Sequence, residues 1–239
     1  MAVDYFTAED IVAGYGQATF DPSPSLKVIA GVRVERTEAS GQGFYTEFDS
    51  SGRGADGQAN TGTIIDLGTV TKSYTDWFPG LQLRWEPRDD LVIRASATRG
   101  LQRPNFTDRA NRLRVQFDAE DPTDRDLVAG NPDLEPLTAD SFDLSAAWYP
   151  SSDSSLQVAA FYKRIDNFFI DFSGDGSDLD LLGLRIPDGI DTDFASIDTV
   201  INGDEAEVVG VELSATQAFT FLPGLLSGLF VQANATLSS

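Results

Sequence analysis

The chain has 239 residues, with 17 basic and 38 acidic side chains, no His and no Cys, and a formal charge of −21. That acidity argues against a nucleic-acid partner, whose phosphates need Lys and Arg, and the missing His and Cys exclude His- or Cys-based catalysis, the usual zinc sites and disulfides. A hydrophobic fraction of 41% is enough for a core and too high for a disordered acidic tail.

The opening MAVDYFTAED has neither the basic start nor the apolar stretch of a signal peptide. From Ile11 to Phe20 alternation is faint, because Gly14 and Gly16 dilute it. It is clear from Leu26 to Glu35, where Leu26, Val28, Ala30, Val32 and Val34 oppose Lys27, Ile29, Gly31, Arg33 and Glu35. The same period of two recurs around Leu81, Leu83 and Trp85, and around Leu91, Ile93, Ala95 and Ala97. Further along it runs from Phe142 to Tyr149, from Leu156 to Lys163 (with Phe161 on the wrong face), from Val209 to Thr216 and from Leu229 to Ser238. Eight strands are therefore expected. The longest nearly apolar run, Phe221 to Val231, is broken by Pro223, Gly224 and Gly228 and falls short of the roughly 20 residues of a membrane-spanning helix.

The connections alternate in length. Four are short and rich in turn formers: Asp21 to Ser25, Pro87 to Asp90, Pro150 to Ser154, and Phe221 to Ser227. Three are long, at about residues 40–71, 101–139 and 172–205. Every short turn thus falls at one end of a sheet and every long loop at the other. Just before each short turn stands an aromatic: Phe20, Trp85, the pair Trp148-Tyr149, and Phe219. Short turns below, long loops above and an aromatic belt at one height are expected of an outer-membrane β-barrel, with Trp77 and Phe78 placed for an upper belt. A soluble β-sandwich also alternates, although its loops need not alternate in length.

The three long loops hold seven basic and 21 acidic residues, a net −14, two-thirds of the total charge. Asp175, Ser177, Asp178 and Asp180 only faintly resemble a calcium loop, since the sixth and twelfth positions are Asp180 and Ile186 instead of Gly and a carboxylate. A solvated acidic loop is the better reading. The three lysines, Lys27, Lys72 and Lys163, stand in no nucleophile motif, and no Gly-rich phosphate loop occurs, so no enzyme and no cofactor is expected.

Ser96-Ala97-Thr98-Arg99-Gly100-Leu101-Gln102-Arg103-Pro104-Asn105-Phe106 resembles the strand-to-loop segment of TonB-dependent outer-membrane receptors, and Gly130-Asn131-Pro132-Asp133-Leu134-Glu135-Pro136 is similar to that family's Gly-Asn-Pro-x-Leu-x-Pro segment. Trp77 to Leu81, Phe161 to Ile165 and Gly210 to Leu213 resemble its later strands, in the right order. The resemblance covers most of residues 5–239. It implies an antiparallel, up-and-down transmembrane β-barrel in the outer membrane of a Gram-negative bacterium, with residues 1–239 part of one barrel domain. Export signal, plug domain and terminal aromatic are missing, so an internal fragment is expected; a complete eight-stranded barrel with a structural or adhesive role is the alternative. The implied partners are outer-membrane lipid, a small-molecule nutrient and the inner-membrane TonB complex acting through the plug region. Capture would fall to the mixed-charge loop, with Arg103, Asn105, Arg109, Arg112 and Arg114 as candidate ligand contacts, and Asn131 and Pro132 fixing the loop's return. The acidic rim favours a neutral oligosaccharide over a ferric siderophore.

Overall fold

The computed structural model describes residues 5–49, 53, 62–118, 120–121 and 123–239. In chain order the strands are β1 (Tyr5–Ser23), β2 (Leu26–Asp49), β3 (Thr63–Arg88), β4 (Leu91–Gln102), β5 (Leu113–Phe117), β6 (Arg125–Ala129), β7 (Leu137–Ser151), β8 (Ser154–Asp166), β9 (Phe169–Gly174), β10 (Ser196–Asn202), β11 (Glu205–Ala218) and β12 (Phe230–Ser238). One four-residue helix, α1 (Leu179–Leu182), follows β9. No helix among the described residues could cross a membrane, which leaves crossing by strands open.

All eight expected strands are present, as one antiparallel meander in the order β12-β11-β8-β7-β4-β3-β2-β1. Their two ends are not paired with each other among the described residues, so the sheet is open and the closed eight-stranded barrel is not what forms. Two corrections concern the upper end. The expected loop at 40–71 is mostly strand, because β2 and β3 stay paired as far as Glu47 and Thr63; its middle, residues 50–52 and 54–61, lies outside the described residues. Among the described residues the strand count rises to 12, because β5 and β6 lie within the second long loop, β10 within the third and β9 across its start. β5 and β6 have only five residues each, too few for a period of two to stand out from a charged loop.

The short connection at Phe221 to Ser227 carries a 3₁₀ turn at Gly224–Gly228, and the other three are hairpins of two residues, Pro24-Ser25, Asp89-Asp90 and Ser152-Asp153. In each hairpin the register shifts directly after the aromatic, Phe20, Trp85 or Trp148. The extra residues let the chain turn while the aromatic keeps its face. Trp148 donates its Nε1–H to Asp90 Oδ2 at 2.9 Å, so its polar edge is satisfied at the turn and its ring stays on the apolar face.

The ladder brings the apolar rows into register. Val28 pairs Leu83, Leu83 pairs Ala95, Ala95 pairs Leu144, Leu144 pairs Ala160, and Ala160 pairs Val211. The apolar row of each strand therefore lies on one continuous outer face, with Leu144 still 55% exposed and Leu213 48% exposed. A patch of that extent needs an apolar medium. Trp77 pairs Val34 and belongs to this face, whereas Phe78 pairs Arg33 on the inner, polar face, so only Trp77 can serve an upper belt. Phe161 is also on the inner face, where its ring covers Gly210: a Cβ there would be 2.3 Å from Phe161 Cζ.

Above the meander the sheet takes a second path. β1 ends opposite Gly43, and beyond it the same edge of β2 is taken by β5 in parallel pairing. β6, β10 and β9 extend this upper sheet. To reach that edge the chain leaving β4 crosses the inner face of β3, β2 and β1. The upper sheet has its own apolar core of Tyr45, Leu113, Val115, Leu127, Ala129, Phe194 and Ile197, against which Leu179, Leu182, Leu184, Ile186 and Ile190 pack from the segment containing α1.

Candidate functional site

The loop crossing places the mixed-charge segment on the inner wall. β1 contributes Glu9 and β2 contributes Glu35 and Thr37, all on the polar face. Arg103 Nη2 donates to Glu35 Oε2 at 2.6 Å and to Thr37 Oγ1 at 3.0 Å, and its Nε lies 3.7 Å from Glu9 Oε1. Arg109 Nη1 donates to Glu9 Oε2 at 2.6 Å, with its guanidinium 4.9 Å from the Phe106 ring centroid. Arg33 Nε also donates to Glu35. Two wall carboxylates thus hold two loop arginines in place, and each pair is charge-assisted.

The five candidate contacts divide by what they already touch. Arg103 and Arg109 are engaged by the wall. Asn105 is exposed and organises a local turn: its carbonyl accepts from Asp108 and Arg109, and its Nδ2 donates to Asp108 Oδ2 at 3.0 Å. Arg112 lies over the Tyr5 ring at 5.7 Å and is engaged elsewhere as well. Arg114 alternates outward on β5 between buried Leu113 and Val115, and is the one candidate arginine both exposed and free of an ion pair among the described residues.

Sequence reasoning missed the residue that ties the loops together. Arg125, 5% exposed, donates to Glu47 Oε1 at 2.8 Å and to Tyr45 Oη at 3.3 Å on β2, and to the Asp191 carbonyl at 2.7 Å in the β9–β10 connection. Its guanidinium also stands 5.1 Å from the Phe194 ring. A charge so deeply buried persists because it is fully paired. Its alternation with Leu127 and Ala129 was the available signal. The Gly130-to-Pro136 segment does fix the return: Asn131 Nδ2 donates to the Val200 carbonyl at 3.0 Å, and Asn202 accepts from Glu135 N at 2.8 Å while donating to the Glu135 and Asn167 carbonyls. Gly130 is required there, since a Cβ would be 2.0 Å from the Ala110 carbonyl oxygen.

In the acidic third loop, the Asp175 carboxylate accepts from Ser177 N at 2.9 Å and from Ser177 Oγ at 2.6 Å, and these bonds hold its pKa below the ordinary aspartate value. It caps a 3₁₀ turn at Gly176–Asp178. The carboxylates are used locally, and among the described residues no group of three could hold a metal ion.

A family model described as TonB dependent receptor-like, beta-barrel, matches residues 3–238. Among solved structures, the chain is similar to the hemophore receptor HasR of Serratia marcescens, seen with its hemophore HasA and heme, at 15% identity and TM-score 0.57, over 87% of this chain and 32% of that one. It is similar to the ferric yersiniabactin uptake receptor FyuA of Yersinia pestis at 15% identity and TM-score 0.53, over 98% and 27%. The FrpB iron transporter of Neisseria meningitidis (F3-3 variant) matches at 14% identity and TM-score 0.53, over 97% and 26%. The chain spans about a third or less of the length of each. No curated protein matches its sequence.

Proposed function

This chain belongs to the TonB-dependent receptor β-barrel family, and we propose that it is part of an outer-membrane receptor that takes up a scarce small-molecule nutrient in a Gram-negative cell. The outer apolar face meets lipid, the inner face lines the lumen, and the long connections form the external mouth. Energy for transport comes from the inner-membrane TonB complex through a plug region; the chain itself binds and guides, and performs no chemistry.

The ligand class we propose is a neutral oligosaccharide. The observation that supports it is the state of the arginines of residues 101–139: Arg103, Arg109 and Arg125 are paired with internal carboxylates, and Arg112 is engaged, which leaves Arg114 as the one arginine of that loop without an ion pair among the described residues, in a mouth of net −14. Such a field disfavours an anion near the rim and is indifferent to a neutral sugar. A ferric chelate is the second reading, favoured by the heme, siderophore and iron transport of the structural neighbours. Growth of a strain lacking the receptor, on a panel of oligosaccharides and of ferric chelates, tests the choice. Loss of growth on an oligosaccharide is expected; loss confined to a ferric chelate withdraws it.

A further inference from the structure

The β4–β7 excursion is built from two materials. Its middle, β5 and β6, joins β2 by a backbone ladder and buries Leu113, Val115 and Leu127 in the upper core. Its first part, residues 103–111, lies across the inner wall with a different kind of joint. The attachments to the wall are polar: the pairs of Arg103 and Arg109 with Glu9 and Glu35, Tyr5 Oη to Thr107 Oγ1 at 3.1 Å, and Asn111 Nδ2 to the Leu67 and Gly68 carbonyls; the one bond to the returning end of the same excursion, Asn131 N to the Asp108 carbonyl at 2.6 Å, is polar too. The buried apolar groups of this segment are only Pro104 and Ala110.

The joint is also incompletely satisfied. Arg103 Nε, Arg109 Nη2 and Asp76 Oδ2 are buried with no hydrogen-bond partner among the described residues, and all three lie where this segment meets the wall. Beside them, a cavity of about 20 Å³ between segment and wall, lined by Tyr74, Arg109, Ala39 and Pro104, has room for about one water. Orphaned buried polar atoms raise the free energy of the seated arrangement relative to one in which solvent meets them. The ladder and apolar core of β5 and β6 carry no such penalty.

We propose that residues 103–111 are a strap latched to the inner wall by Glu9 and Glu35, which lifts from the wall while β5 and β6 remain paired to β2. Lifting opens the inner face of β1–β3 and leaves the upper sheet in place. The latch is a conformational device of the fold and holds whichever ligand class the receptor takes.

The experiment uses the complete receptor in membranes and the alkylation rate of single cysteines by N-ethylmaleimide. Ala39→Cys, 9% exposed beneath the strap, reports lifting; Ala129→Cys, 5% exposed in the upper core, reports melting of the whole loop. Two variants release the strap by independent means. Glu9→Gln removes the charge shared by Arg103 and Arg109, and Gly43→Ala places a Cβ 1.5 Å from the Asn111 carbonyl oxygen. Alkylation of an intermittently buried thiol follows its open population, so each variant should speed labelling at Ala39→Cys by at least about tenfold and leave Ala129→Cys within about twofold. Unchanged labelling at Ala39→Cys in both variants overturns the proposal. So does equal acceleration at the two reporters, because the loop then melts as one body.

Discussion

The two ends of β2 obey opposite rules. From Leu26 to Val34 its outward row is apolar and its inner row, Ile29 apart, is Lys, Gly and Arg; at the top, Tyr45 faces inward and is fully buried, with 0% exposure, in the upper core. One strand of 24 residues thus belongs to two environments. In the lower one the apolar medium lies outside the protein; in the upper one the protein has to supply it. The change falls at Gly41–Gly43, where β1 ends, the pairing with β3 shifts register and the strap passes close enough to exclude a side chain at Gly43. A barrel wall borrows its core from lipid, whereas a loop module in water must build its own.

That contrast breaks first on topology, an all-or-none effect. Cysteines at Ser152, in a short turn, and at Leu181, 83% exposed above the upper core, should react with an impermeant thiol reagent from opposite sides of the outer membrane. Leu181→Cys labels on intact cells and Ser152→Cys does not. Labelling of both from outside removes the membrane between the two environments.

Next comes the buried charge that only the upper environment contains. Arg125→Ala leaves Glu47 without its partner and should destabilise the upper sheet by about 3–5 kcal/mol, read as lost amide protection in β5, β6 and β10. The meander below should keep its protection. For the wall, Leu144→Arg puts a charge on the lipid face near the middle of the apolar row and should cost about 2–4 kcal/mol in folding into bilayers, while Ser145→Arg, one residue along and facing the lumen, costs far less. Equal costs at the two neighbours would mean that the faces are misassigned.

The wall was legible in the sequence because its rule is simple. Alternation over eight or more residues, bounded by Pro-Ser, Asp-Asp or Ser-Asp turns and marked by Phe20, Trp85 and Trp148, survives without tertiary information. The upper sheet was not legible for two physical reasons. Leu113-Arg114-Val115-Gln116-Phe117 alternates perfectly but is too short to stand out, and β5 and β6 take partners, β2 and β10, that lie far away in sequence. Among the candidate contacts, composition marked the mixed-charge loop without revealing that Arg103 and Arg109 face Glu9 and Glu35, about 70 to 100 residues away. Phe161 looked misplaced in its strand because its justification, a glycine under its ring, sits at position 210.

The smallest expected effect sharpens the comparison at the cover of the upper core. The segment holding α1 closes that core with Leu179, Leu182 and Ile186, and it begins at the turn capped by Asp175. The Ser177 hydroxyl and amide both donate to the Asp175 carboxylate, and these bonds are stronger while it is ionised. Its pKa is therefore lowered from the ordinary 3.8, by the Ser177 side chain first and the Ser177 backbone second. A group whose folded pKa is depressed adds stability that is complete above its unfolded value and is lost as pH falls through the folded one. The cap is thus intact at neutral pH and weakens only below about 3.8, so the cover should not respond to pH across the physiological range. Following the Asp175 carboxyl by carbon NMR during an acid titration should give a midpoint below 3.8, and Ser177→Ala should move it back up towards that value. Because Asp175 is fully exposed, solvent screens the interaction and the consequence is local: faster exchange at the Ser177 and Asp178 amides, with β5 and β6 unaffected. A midpoint at or above 3.8 would show that the carboxylate is merely solvated and that the turn is held by the apolar cover and by the Asp178 carboxylate, which accepts from Asp175 N at 3.1 Å.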